Sequence, residues 1–325
     1  MKKDLNDFDF LNECLTLKGQ AFIDDRLSCR KEESDANQTQ QSFNVKWEAL
    51  KEEKSDEDET WKNFQKNWYL KLYGFESEES LKAFLSDKAL IVDAGCGKGY
   101  KAAWFAKLSP DSIVLGVDVS TSVIESSQRY REIENLYFIQ ADIAQMPLAD
   151  ASVDFISCDQ VLHHTPDPPS TLTEFRRCIK KGSSLCTYVY AKKALPRELL
   201  DEYFRSAVHG LKEDELWSLS KKLTDLGRML TELKITLDFP EIKELGIKGG
   251  PQDLQRFIYW NFIKCFWNEQ LGREPSVSCN FDWYAPSIAF RYSLAEFLTM
   301  SKAAGFENTF LHQEEACHAG MFKAV

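Results

Sequence analysis

The sequence predicts an α/β protein: a doubly wound, mostly parallel sheet of seven strands with an antiparallel last strand and a helical lid inserted late in the chain. Three observations carry this. Between residues 89 and 190, short β-rich runs alternate with helical ones. Residues 192–290 break that alternation with several amphipathic helices. A final helix and two strands then close the chain. Strand and helix alternating at this spacing argue for parallel βαβ units.

The elements follow in order. Ala89-Leu90-Ile91-Val92-Asp93 is a buried strand, followed by a helix over residues 98–108. Ile113-Val114-Leu115-Gly116-Val117 is the second strand, with its helix over 120–131. Residues 136–140 and 153–158 give the third and fourth strands, 170–179 a helix and 184–190 the fifth strand. Helices are expected over 196–208, 213–232 and 253–270, joined by turns such as Lys248-Gly249-Gly250-Pro251. The chain ends with a helix over 293–304, capped by Gly305, and strands near 308–313 and 319–325. Four stretches result: a polar, largely irregular segment 1–59, a ligand-binding core 60–191 with leading helices, a helical insertion 192–290, and residues 291–325 completing the core. Within the first stretch, the Ser42-to-Trp47 island is expected to dock back on the core, because free aromatics are seldom left in water.

Composition narrows the function classes. The 325 residues carry a formal net charge of −11, which repels nucleic acid at long range and counts against a nucleic-acid partner. The 9 cysteines form no C-x-x-C pair, and several fall in expected strands or helices, where a reduced thiol is usually a small buried hydrophobe. That suits a reducing cytoplasm. No apolar run approaches the length of a bilayer span, so no membrane span is expected.

The chemistry gathers at strand ends. The first strand ends in Asp93 and runs into Gly95, Cys96, Gly97, Lys98 and Gly99 before a helix, an arrangement expected to set backbone N–H groups and a helix N-terminus beside a ligand. Tyr100 stands where a dinucleotide fingerprint needs its third glycine, so a pyrophosphate ligand and a dehydrogenase are disfavoured. Asp118 ends the second strand, where a carboxylate can accept ribose hydroxyls, unless it caps the following helix. Asp142 follows the third strand and could accept from an adenine amino group. Asp159 ends the fourth. Ligands of open α/β sheets lie at the carboxyl ends of the strands, so four acids there would line one crevice.

These segments resemble class I S-adenosylmethionine-dependent methyltransferases, in particular a small-molecule, quinone-biosynthesis-like group. Val92 to Gly99 is similar to the family's first motif, Gly116 to Ser120 to its second, Gln140 to Leu148 to its third and Val153 to His164 to its fourth. The likeness is strong over 89–191 and moderate over the final helix and strands. It implies a Rossmann-like fold with S-adenosylmethionine as cofactor. It further implies Asp93, Gly95, Cys96 and Gly97 near the methionine moiety, Asp118 with Val119 at the ribose, and Asp142 with Ile143 at the adenine. Asp159 and Gln160 would sit near the transferable methyl. One departure is Lys180-Lys181-Gly182-Ser183-Ser184, where many relatives carry Pro-Gly-Gly.

His163 and His164 follow the fourth strand, so one ring could deprotonate the acceptor, with Asp159 the third candidate for catalysis. An orienting or packing histidine is the more common case. Some relatives carry a zinc ribbon ahead of a Ser-Phe-x-x-x-Trp element like Ser42 to Trp47. Cys14 and Cys29 are two isolated cysteines where a ribbon needs four ligands, and no metal is expected. The insertion is rich in aromatics, and Asp282-Trp283-Tyr284 with Arg291 is the expected wall of an acceptor pocket. The function expected is methyl transfer to O, N or C of a small-molecule acceptor. The alternatives are methylation or carboxymethylation of an RNA base, and a regulatory protein that binds the cofactor without turnover.

Overall fold

Each apolar run of the core region becomes a strand buried on both faces, and that burial sets the layers. The computed structural model describes residues 7–16, 22–26, 59–208 and 210–325. In chain order, helix α1 (Asp7–Cys14) and strand β1 (Phe22–Ile23) come first, then helices α2 (Glu59–Tyr73) and α3 (Glu78–Leu85). The core follows as β2 (Leu90–Ala94), α4 (Tyr100–Leu108), β3 (Ile113–Asp118), α5 (Ser122–Arg129) and β4 (Leu136–Gln140), then β5 (Val153–Cys158), α6 (Pro168–Cys178) and β6 (Ile179–Ala191). The insertion holds α7 (Leu195–Val208), α8 (Glu213–Glu232), β7 (Thr236–Phe239), β8 (Gly250–Asp253), α9 (Leu254–Asn261) and α10 (Arg273–Tyr284). The chain closes with β9 (Arg291–Tyr292), α11 (Leu294–Ala303), β10 (Phe306–Gln313) and β11 (Cys317–Ala324).

The main sheet runs β1-β4-β3-β2-β5-β6-β11-β10, with β9 beside β6. Strands β4, β3, β2, β5 and β6 are parallel, and β11 is antiparallel to β6. These five, with β10 and β11, are the seven strands expected, and the antiparallel one is the last in sequence. Alternation along β2 feeds two cores: Leu90, Val92 and Ala94 pack with Leu172 and Phe297, whereas Ile91 packs with Leu72 and Phe105 on the other face. The strand order reverses between β2 and β5, and such a switch point opens a crevice at the carboxyl ends.

Three expectations need correction. Segment 1–59 is not irregular where it is described: Leu11 and Ile23 are buried, and β1 extends the sheet antiparallel to β4. Buried Asp24 anchors it, accepting from Arg26 Nη2 at 2.8 Å and the Phe138 N–H at 3.3 Å. Phe10, Leu11, Cys14 and Leu15 form an apolar stripe at helical spacing that the surrounding charges obscured. The Ser42-to-Trp47 island and Cys29 lie outside the described residues, and Cys14 is a core thiol pushed up by burial.

Next, the loop expected at 180–184 is an excursion inside β6: Ile179 pairs with Val153 and Ser184 with Phe155, so the intervening residues bulge out. The insertion, finally, is not wholly helical. Its helix over 253–270 stops at Asn261, and β7 and β8 form an antiparallel hairpin. The stop has a packing cause. A Cβ at Gly227 of α8 would lie 2.2 Å from the Cys265 carbonyl, so the chain after α9 crosses the helix in close contact. Asn280 of α10 holds that crossing by accepting from the Phe266 N–H at 2.8 Å and donating to its carbonyl at 3.0 Å.

Gly95, where β2 turns into the crevice, has φ 80, and a Cβ there would meet Val161 Cγ2 at 2.4 Å. Gly95→Ala is therefore expected to lower stability by about 1–3 kcal/mol. Adding Val161→Ala should recover part of that loss. Urea denaturation of both variants checks this, and an unchanged midpoint for Gly95→Ala contradicts it.

Candidate active site

The glycine turn after β2 is tied to β3. The Gly95 and Cys96 N–H groups donate to the Val117 carbonyl at 2.7 and 3.1 Å, and the Gly97 N–H donates to Asp118 Oδ2 at 2.8 Å. Gly99 donates to the Cys96 carbonyl at 2.9 Å. The expectation that these N–H groups face a ligand is corrected: they fix the loop and make no phosphate cradle. A pyrophosphate would need them.

Asp118 is held at both oxygens, since Oδ1 accepts from the Ser120 N–H at 2.8 Å and its hydroxyl at 2.6 Å. It thus serves as a local cap and still lines the cavity. Asp142 caps the short turn Ile143–Gln145 through the Ala144 N–H at 2.9 Å. With Val119 and Ile143 it lines the same region, and Gln140 Nε2 fixes the Val119 carbonyl at 2.8 Å.

Asp93 lies behind the turn and does not line the cavity; it is 1% exposed. Its carboxylate accepts from the Ala102 N–H in the first turn of α4, while its Oδ2 has no hydrogen-bond partner. Burial pushes Asp93 up to about 7, Asp159 and Asp118 add to the rise, and Lys101 opposes it.

Asp159 closes the switch point. Its Oδ1 accepts from the Tyr73 hydroxyl at 2.8 Å, and its Oδ2 from Lys101 Nζ at 2.5 Å and Gln160 Nε2 at 3.1 Å. Burial alone would lower Lys101, but Asp159, Tyr100 and Asp93 around it together outweigh burial and raise it, so the lysine stays charged. With three donors on its two oxygens, Asp159 is engaged in holding Tyr73, Lys101 and Gln160. Gln160 adopts φ 66, and this tight turn after β5 sets Gln160 on the cavity wall.

The two histidine rings lie 4.2 Å apart between centres, but only His164 reaches the cavity. His163 is fully buried and does not line the cavity; burial holds its ring well below the usual histidine range, and its Nε2 has no partner. It packs 3.8 Å from the Tyr190 ring, which corrects its candidacy as a base. His164 does line the cavity. Its Nδ1 lies 2.7 Å from the Ile288 carbonyl, which can only accept, so in the neutral ring the lone pair is on Nε2.

One cavity of about 560 Å³ joins these residues to the insertion. Trp283 and Asp282 line it, as do Lys193, Tyr259, Trp260 and Lys264. The wall expected from Tyr284 and Arg291 is corrected. The Tyr284 hydroxyl donates to Asp201 at 3.1 Å, and Arg291 pairs with Glu198 at 2.6 Å and Glu202 at 3.2 Å.

The comparisons bear on this geometry. Residues 85–233 match the family model of a methyltransferase domain. Over 111 residues the chain is 37% identical to an uncharacterized 37.1 kDa protein in transposon TN4556 of Streptomyces fradiae, covering 33% of this chain and 31% of that protein. An uncharacterized methyltransferase of Schizosaccharomyces pombe is 29% identical over 137 residues, 37% of this chain and 49% of its own length. A probable S-adenosylmethionine-dependent methyltransferase of Mycobacterium tuberculosis is 36% identical over 95 residues, 29% of this chain and 33% of its own. The matched segments thus span less than half of these relatives. They support the methyltransferase class with S-adenosylmethionine as cofactor, and they do not reach the narrower quinone-biosynthesis-like group.

The residues of the matched segment fit that cofactor. A ligand bearing a sulfonium, an ammonium and hydroxyl donors suits a crevice lined by Asp118, Asp142 and Asp159, with Asp93 behind it, and the loop that would cradle phosphate has its N–H groups engaged. Sequence reasoning missed Lys101 and Tyr73, whose lysine sits in a helix first turn like any surface lysine, and Lys193, which reads as half of a solvated Lys192-Lys193 pair. No described helix is long and apolar enough to cross a membrane.

Asp93 makes a pH prediction. Its folded value lies above the ordinary one, so its contribution is full below about pH 4 and is lost as pH rises through about 7. Relative to Asp93→Asn, the wild-type protein should lose about 2 kcal/mol or more of unfolding free energy between pH 4 and pH 8. Denaturant melts of both proteins at those pH values test this; parallel pH profiles would contradict it.

Proposed function

We propose that this protein transfers the methyl group of S-adenosylmethionine to an oxygen, nitrogen or carbon of a small-molecule acceptor. The observation that carries the reading is the continuity of one cavity from the acidic strand ends to the aromatic wall of residues 192–290. In this reading Asp118 takes the ribose hydroxyls. Asp142 takes the adenine amino group, with Ile143 and Val119 flanking the ring. Gly95, Cys96 and Gly97 lie against the methionine portion, and Gln160, set by Asp159, lies near the sulfonium. The insertion forms the cover over the acceptor.

When bound, the cofactor supplies a methyl carbon activated for in-line attack. The chain's own part is positioning, which accounts for much of the acceleration of such a displacement. Asp159, held by Lys101 and Tyr73, keeps Gln160 at the wall and is a positioning residue. His164 presents Nε2 as the acceptor of an acceptor-group proton, or orients that group. The insertion keeps water from the reacting atoms. A regulatory protein without turnover would need an acceptor side lacking polar groups, but Lys193, Tyr259, Lys264 and Asp282 line this one. The net charge of −11 counts against an RNA acceptor.

Calorimetry should find S-adenosylhomocysteine binding at roughly −7 to −9 kcal/mol; binding of NAD instead would overturn the reading. Asp118→Ala should weaken it by about 1.5–3 kcal/mol, part of which is the loosened Gly97 and Ser120 backbone. Unchanged affinity in the folded variant removes Asp118 from the site. Trp283→Ala should lower turnover of the acceptor with cofactor affinity nearly intact, measured by methyl transfer and calorimetry on the same sample. A loss of cofactor affinity instead would move Trp283 to the other half of the cavity.

A further inference from the structure

The insertion end of the cavity concentrates positive charge in a protein of net charge −11. Lys193, Arg197 and Lys264 surround Trp283: Lys264 Nζ stands 4.7 Å from its ring centre, the Arg197 guanidinium 5.2 Å and Lys193 Nζ 5.7 Å. Lys264 and Arg197 also face the Tyr259 ring, at 5.4 and 5.5 Å. Among the described residues, Arg197 alone of these three cations has a carboxylate at hydrogen-bond range, with its Nε 2.8 Å from Asp201. That carboxylate also takes the Trp283 indole N–H at 2.9 Å and the Tyr284 hydroxyl.

Among the described residues, the two lysines have only neutral oxygens as hydrogen-bond acceptors. Lys193 Nζ donates to the Ala191 and Ala316 carbonyls at 2.6 and 3.1 Å, and Lys264 Nζ to the Tyr259 hydroxyl at 3.2 Å. Glu198, the carboxylate that acts on Lys193, is bonded to Arg291 and to the Lys193 backbone N–H. Burial, followed by Arg197 and Lys264 nearby, brings Lys193 down to about 7. Among acids on this part of the wall, Glu274 is bonded to Arg273, and Glu314 to Lys71 and His312. Asp282 lies beside Tyr190.

Holding half-buried Lys193 and buried Lys264 around one indole ring is unfavourable for two positive charges unless a ligand of opposite charge completes the set. We propose that the acceptor is an organic anion with an apolar or aromatic body, its acidic group held between Lys193 and Lys264 and its body against Trp260 and Trp283. The inference rests on the reading of this cavity as the acceptor site of a methyltransferase. Aromatic walls accommodate the body, and lysines, as point charges with rotatable donors, accept either a carboxylate or a phosphate.

The test uses the full chain saturated with S-adenosylhomocysteine, whose own binding is measured first. Failure of that first step strikes the function above; the comparison that follows strikes only the anion. Benzoate, 1-naphthoate and phenyl phosphate are titrated by calorimetry beside the uncharged benzamide and 1-naphthamide. At least one anion should bind tenfold or more tightly than the matched or similarly sized neutral compounds, and carboxylate against phosphate identifies the group. Lys264→Gln and Lys193→Gln should each remove that preference, Lys264→Arg should keep it, and S-adenosylhomocysteine affinity should stay within a factor of two throughout. Equal binding of acids and amides, no binding of any anion, or a preference that survives in both glutamine variants overturns the proposal. Should a glutamine variant fail to fold, the acid-against-amide comparison on the wild-type chain still decides it.

Discussion

The ion pair between Lys101 and Asp159 is the constraint on which the site depends. It joins the first turn of α4 to the end of β5, across the point where the strand order reverses. Tyr73 brings α2 to the same carboxylate. Three elements far apart in sequence are therefore fixed at one oxygen pair, 2% accessible on the carboxylate side. Removing one partner of such a pair leaves an uncompensated buried charge, at a cost of about 3–5 kcal/mol. The arrangement also explains why Asp93 can stay unpaired at one oxygen. Lys101 offsets part of the negative charge that Asp93, Asp118 and Asp159 accumulate at adjacent strand ends.

That accumulation is also what selects the ligand. A crevice with acids at three strand ends repels phosphate, and the turn that carries phosphate in dinucleotide folds has its N–H groups bonded to Val117 and Asp118. The same residues would stabilise a cationic, hydroxyl-bearing ligand. The opposite sign prevails at the insertion end, where Lys193 and Lys264 face aromatic rings. One cavity thus holds two charge environments, and each disfavours the ligand suited to the other.

The legible part of the sequence was the part governed by local rules. Strands β2 to β5 are short, wholly or almost wholly buried runs bounded by turn residues, so pattern alone marks them. The motif acids follow because the carboxyl ends of parallel strands share one edge. What pattern could not show is pairing at long range. Nothing near Lys101 in sequence indicates a partner 58 residues away, and nothing in His163-His164 says which ring turns inward. The insertion was misread for a related reason. Residues 253–270 have helical composition, but the helix ends at Asn261 because the chain must cross α8 at Gly227, a contact visible only in three dimensions.

The division of labour between the histidines follows from the same geometry. Residues 162–164 make one tight turn that leaves the two rings tilted against each other, with centres 4.2 Å apart. His163 packs with Tyr188 and Tyr190, where burial outweighs the Tyr188 carbonyl 3.5 Å from its Nδ1 and keeps the ring neutral. His164 turns to the cavity, and its bond to the Ile288 carbonyl fixes which nitrogen faces outward from the backbone of the insertion. The Ile288 carbonyl, within the insertion, thus sets the tautomer of the neutral His164 ring on the cavity wall.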